Sequence, residues 1–147
     1  MMNIYDTTAL DRMHLQEIGL FPYMLDYTRD MLMHQCGNRI LSIMDTRLAT
    51  ITRFDGLRIL KKGYQQGSKF TGGEMRDVMK IIIFVLDELY TTDDEINHQI
   101  KSETISCKIL IQCYIKFIKM YITSRQKQFN ENDLKRFEVS IFNIINN

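Results

Sequence analysis

Three cysteines and three histidines are the residues of this 147-residue chain best suited to act as nucleophiles, bases or metal ligands. Cys36, Cys107 and Cys113 leave an odd one under any pairing, contain no Cys-x-x-Cys, and sit in apolar surroundings. That pattern reads as three reduced thiols of a cytosolic protein. His14, His34 and His98 are separated by 20 and 64 residues, whereas a zinc site needs ligands at short spacing. His34 and Cys36 lie two apart on a predicted helix, about 200° around it, so they cannot form a nucleophile–base pair. No Gly-x-Ser-x-Gly, phosphate loop or dinucleotide fingerprint is present. The expectation is a protein that is no enzyme, with no catalytic residue, cofactor, metal or small-molecule substrate.

The elements that would position any site must then come from the apolar pattern. The chain is 45% hydrophobic and 25% charged, which suits one domain over residues 1–147. One proline and seven glycines argue against extended disorder. The longest apolar run, Ile81 to Leu86, has six residues, too few for a membrane span. No secretion signal is visible at the N-terminus, and a cytoplasmic location is expected. A net charge of +1 supplies no global attraction for nucleic acid or membrane.

Helix is predicted throughout. A first runs from Ala9 to Ile18, capped by Thr8 and Asp11 and ended by Gly19. A second starts at Pro22 and ends before Gly37, with Met24, Leu25, Thr28, Met31, Leu32 and Gln35 on one face. A third spans Asn38 to Phe54, burying Ile40, Met44, Leu48 and Ile51 and leaving Arg39, Asp45, Arg47 and Arg53 to solvent. Leu57 to Leu60 suggests one more short turn. Lys61 to Gly73 holds four of the seven glycines and reads as a long loop. Thr71 and Glu74 form a capping box opening a helix to Tyr90, preferred over a strand at Ile81–Val85 because the periodicity outruns strand length. Another box, Thr92 with Glu95, introduces a short helix from Asp93 to Ile100. A last helix follows Asn130, with Leu134, Phe137, Ile141 and Ile144 as its apolar stripe.

Glu103 to Gln126 is the most apolar stretch. Its polar residues Lys108, Gln112, Lys116, Lys119 and Thr123 are spaced 4, 4, 3 and 4, drawing one narrow stripe. This predicts a helix over 103–125, about 33 Å long, surrounded on nearly every side. Six basic residues between Lys101 and Lys127 face five acids between Asp87 and Glu95, so the stripe reads as a solvated edge neutralised nearby. No aromatic–glycine motif accompanies it, which disfavours nucleic acid. Five of the ten methionines fall between Met13 and Met44, suited to core filling or to an adaptable groove.

Amphipathic helices, a glycine-rich loop, an apolar helix with an acidic end and a nearly all-apolar helix follow in that order. With Val85-Leu86-Asp87-Glu88-Leu89-Tyr90 and Asp93-Asp94-Glu95-Ile96-Asn97, the chain resembles the Bcl-2 family, especially its virus-encoded members. Asn97-His98-Gln99-Ile100 stands where that family carries Asn-Trp-Gly-Arg, so its ligand-pairing arginine is not carried over. Leu48-Ala49-Thr50-Ile51-Thr52-Arg53 keeps Leu48 and Ile51 of the death motif but not its Gly-Asp. The resemblance implies an all-α bundle of six to eight helices around a central hydrophobic helix. It also implies a regulator of apoptosis that seats an amphipathic death-motif helix of a pro-apoptotic host protein. The groove would be lined by Met44, Leu48, Ile51, Leu57, Leu60, Met75 and Met79, plus the N-terminal part of the central helix. The alternatives are a homodimeric viral adaptor-binding inhibitor of innate immune signalling, and an RNA-binding viral helical bundle.

Overall fold

Asp11, Gly19 and Pro22 shape the first helical rod of the computed structural model, which describes residues 11–58, 60–64, 69–91 and 105–145. Asp11 opens the rod, its carboxylate accepting the Met13 N–H at 2.8 Å. Residues Met13–Leu20 then wind as a π-helix and run directly into α1, Phe21–Cys36. Gly19 does not end the helix as the sequence suggested. A Cβ there would stand 2.7 Å from the His14 carbonyl oxygen, so only glycine admits the wider turn. Pro22, with no N–H to give and a ring that would press on an α-helical carbonyl, is the reason for the widening. The expected Thr8 cap lies outside the described residues.

Gly37, at φ 75°, breaks the rod, and α2, Asn38–Thr50, packs back against α1. Asp45 binds both Arg29 terminal nitrogens, at 2.8 and 3.1 Å, and also accepts the Tyr64 N–H at 3.0 Å. A Cβ on Gly63 would fall within 2.4 Å of Asp45, so this glycine lets the 61–64 turn close over α2. Arg47 donates to the carbonyls of Val85 and Asp87 at the end of the next helix. Asp45 and Arg47 are therefore structural ties, not the solvent-facing charges expected. α2 also stops earlier than Phe54, because Thr50-Ile51-Thr52 is a β-branched run that disfavours helix. The expected helical turn at Leu57–Leu60 includes Ile59, outside the described residues. Leu57, Arg58 and Leu60 are not helical, and turn bonds from Leu57 N–H to the Phe54 carbonyl and from Gly63 N–H to the Leu60 carbonyl flank them.

α3, Gly72–Leu86, opens on the capping box foreseen from the sequence. Thr71 N–H donates to Glu74 at 2.8 Å and Glu74 N–H to the Thr71 hydroxyl at 3.2 Å. Met75, Val78, Met79, Ile81, Ile82, Val85 and Leu86 are all buried, pointing in several directions around the axis. A 3-10 turn, Leu89–Thr91, follows. The predicted Asp93–Ile100 helix lies outside the described residues.

α4, Cys107–Ser124, is shorter than the predicted 103–125 and buries one face: Leu110, Tyr114, Phe117, Met120 and Tyr121. Ile111, Ile115 and Ile118 are half-buried, while Ile109 and Ile122 are 52% and 61% exposed. The encircled helix is thus α3, and the apolar excess of α4 faces outward. Last comes α5, Glu131–Ile145, which packs on α4 through Phe137 and is opened by a reciprocal Asn130–Asp133 box. Among the described residues there are five α-helices and no strand; the expected six to eight included the Asp93–Ile100 helix, which lies outside them. None of these helices is long and apolar enough to cross a membrane.

The contrast between α2 and α4 can be measured. Leu48→Ala, at a fully buried position, should cost about 2–5 kcal/mol in urea unfolding. Ile109→Ala, half in solvent, should cost under about 1 kcal/mol.

Candidate functional site

The residues expected to line a groove do not meet at one. Met44, Leu48 and Met75 are fully buried and Met79 nearly so, filling the core between α2 and α3. Ile51, Leu57 and Leu60 are half-buried and packed against that core. An apolar groove of about 350 Å³ lies elsewhere, between α1 and α4. On α1 its wall is Met24, Tyr27, Thr28 and Met31, residues that a helical turn places on one face. The opposite wall is Ile105, Ile109, Leu110, Cys113, Tyr114 and Lys116.

The floor is closed by hydrogen bonds that use up its polar atoms. Thr28 donates to the Met24 carbonyl at 2.8 Å, and its oxygen lies 2.9 Å from the Tyr114 hydroxyl. Phe21 meets the Tyr114 ring edge-on at 6.1 Å. Burial pushes the Tyr114 phenol well above its usual range, with the Thr28 hydroxyl pulling the other way. The lip at Ile105 is held by Tyr90, whose hydroxyl donates to the Ile105 carbonyl at 2.8 Å and lies 3.2 Å from the Gln35 side chain. What remains open to a visitor is apolar.

The rim is aromatic on one side, at Tyr27, and basic on the other. Tyr27 is 71% exposed, and Tyr23, one turn before it on α1 but outside the groove lining, is 76% exposed. Lys116 belongs to the stripe Lys108, Gln112, Lys116 and Lys119, of which the other three are exposed. Cys113, exposed at the groove, is the accessible thiol. Cys36 and Cys107 are held as thiols by burial, which pushes both up, with each other's proximity adding for Cys36. Among the described residues, no three of His, Cys, Asp and Glu come together as a metal-binding group.

Met24, Thr28 and Met31 were on the apolar face assigned to the second helix, so half of this groove was visible in the pattern. The other wall, the N-terminal part of α4, was expected to line a groove, but opposite α2 and α3 rather than α1, and with Ile109 buried. Compared with protein-family models, curated proteins and solved structures, the chain gives no match.

Tyr114→Phe tests the floor. Loss of the Thr28 bond should cost about 0.5–1.5 kcal/mol. The folded-state pKa of Tyr114 is raised, so its contribution is complete below the unfolded value of 10.0 and is lost as pH rises past it. Chemical unfolding of wild type should therefore show stability falling above that pH, and the fall should be shallower in Tyr114→Phe.

Proposed function

We propose that this chain is a non-catalytic interaction protein whose α1–α4 groove seats an amphipathic helix of a partner protein. The observation that carries the reading is Tyr27, mostly in solvent yet lining an apolar groove with closed polar atoms, with the exposed Tyr23 one helical turn before it on α1. Tyrosine brings large contact area at low entropic cost and is enriched at interfaces. Met24 and Met31 supply walls that adapt to different side chains. Three or four large partner side chains would each contribute about 1.5–3 kcal/mol before ordering costs. The lysine stripe beside the groove selects a partner helix with acidic residues flanking its apolar face.

Because helix order resembles the Bcl-2 family, death-motif helices of pro-apoptotic host proteins are the partners proposed first. The virus-encoded origin and host-cytoplasmic setting belong to the same proposal. The seat differs from the one that resemblance implied, since Leu48 and Met79 lie in the core. A second reading, a homodimer or adaptor-binding inhibitor of innate immune signalling, draws on α5, which leaves Leu134, Val139 and Ile141 exposed.

The test is fluorescence anisotropy with a panel of acidic amphipathic peptides that includes death motifs. Ile109→Glu should bind at least tenfold more weakly while its melting temperature stays near wild type. Leu134→Glu should bind normally. Equal affinity of Ile109→Glu and wild type would overturn the groove. A dimer dispersed by Leu134→Glu, with no peptide binding, would transfer support to the second reading.

A further inference from the structure

The N-terminal end of α3 holds a second cavity that the groove does not use. It measures about 340 Å³ and is walled chiefly by Arg58, Gly73, Arg76, Lys80 and Arg125, with Asp77 at its side. At and behind it, five cations, counting Arg12, face three carboxylates, Glu17, Glu74 and Asp77. Each carboxylate is already engaged. Asp77 holds Lys80 at 2.6 Å and accepts the backbone N–H of Arg58 at 3.1 Å. Glu17, 1% exposed, lies 3.3 Å from Arg76 and 3.7 Å from Arg12, and accepts the Tyr121 hydroxyl at 2.6 Å. Glu74 is turned to Thr71, whose N–H and hydroxyl both reach it at 2.8 Å.

Five cations less three carboxylates leaves a formal surplus of two positive charges. Arg58 and Arg125 form no close ion pair among the described residues, although Arg58 stands near enough to Glu74 to help hold its carboxyl down. Arg58 lies over the first turn of α3: a Cβ on Gly73 would be 3.2 Å from its terminal nitrogen. Arg125 stacks on the Tyr121 ring, 5.7 Å from the centroid, with a nitrogen 3.4 Å from the hydroxyl. Stacking fixes the plane of a guanidinium without consuming its charge. The Gly72 and Gly73 amides have no intrahelical acceptor, which adds to the positive field.

The cavity adjoins a second hollow of about 210 Å³ that shares Arg76, Lys80 and Arg125 and continues onto Met79, Ile118 and Ile122. A charged seat thus opens onto an apolar shelf. We infer that this is a binding site for a phosphomonoester that carries an apolar substituent. The phosphate, with about −1.5 to −2 charge at neutral pH, matches the formal surplus of the cluster, and Arg58 and Arg125 are the guanidiniums without a close ion pair that can turn to it. Its apolar substituent lies along Ile118 and Ile122. The inference stands apart from the groove, which uses the other end of α4.

Calorimetry on the full chain at fixed ionic strength tests it with phenyl phosphate and inorganic phosphate as probes. Phenyl phosphate should bind saturably at one site, at least tenfold more tightly than inorganic phosphate. Arg58→Gln with Arg125→Gln should lower phenyl phosphate affinity tenfold or more at an unchanged melting temperature. Arg58→Gln alone, at an exposed side chain, serves if the double variant is unstable, and should lower it at least threefold. Ile122→Ser should narrow the gap between the two probes. Retention on phosphatidic acid vesicles, lost in the arginine variants, would identify a lipid headgroup as the source; phenyl phosphate binding without retention would identify a soluble phosphomonoester. Absence of saturable binding, or undiminished binding by the Arg58→Gln variants, would overturn the inference.

Discussion

Arg47 reaches from α2 to the carbonyls of Val85 and Asp87, and much else follows from that bond. A helix buried on most of its circumference cannot rely on water for its last carbonyls, which have no intrahelical donor. α3 is such a helix, and a guanidinium with several donors closes its end. At the other end the Thr71–Glu74 box satisfies the first turn, with the Glu17 side chain close beside Gly72. The π-helical segment Met13–Leu20, α2 and α4 all pack on α3 because it offers apolar residues in those directions. The backbone at Glu88, with φ 47°, then turns the chain away from the capped end.

Burying Glu17 almost completely needs compensation from charge and hydrogen bonding together. Arg12 and Arg76 flank it and Tyr121 donates to it, so the first rod, α3 and α4 meet at one carboxylate. Burial, followed by the hydrogen bond to Glu17, pushes the Tyr121 phenol up and keeps it a donor. The π-helical turn belongs to the same arrangement, since it sets where residues 16 and 17 point. Gln16, its neighbour, accepts from Ser124 at 2.9 Å and fastens the far end of α4.

Much of the fold was legible because local chemistry decided it. Gly37, Pro22 and the Thr71–Glu74 box marked helix ends or entries that the structure retains. Periodicity correctly resolved Ile81–Val85 as helix. What misled was treating apolar content as burial: α4 is richer in isoleucine than α3, yet Ile109 and Ile122 stand in solvent. Apolar residues cover much of any protein surface, so composition around a helix cannot say which neighbours exist. Charged residues failed in the opposite sense. Asp45 and Arg47 read as solvent-facing because their partners, Arg29, Tyr64 and the end of α3, are distant in sequence or on the backbone. The site suffered from both errors. Met44, Leu48, Met75 and Met79 have the right chemistry for a groove but sit where no visitor can reach. Tyr23 and Tyr27 carry no pattern that separates a rim from ordinary surface.

Gly37 joins α1 to α2 in a single residue, and this has a kinetic side. Closing so short a connection costs little chain entropy, whereas docking α3 must bring together residues forty positions apart, as in Arg47 with Asp87. The order of assembly that minimises early entropic loss is therefore the α1–α2 hairpin first, then the third helix onto it. An alanine at position 37 would meet no neighbouring atom, so its penalty is purely torsional, roughly 1–3 kcal/mol for a side chain held at φ 75° and ψ −179°, a region essentially confined to glycine. That penalty falls within the nucleus itself. It should appear mainly as slower folding, with the unfolding rate scarcely changed.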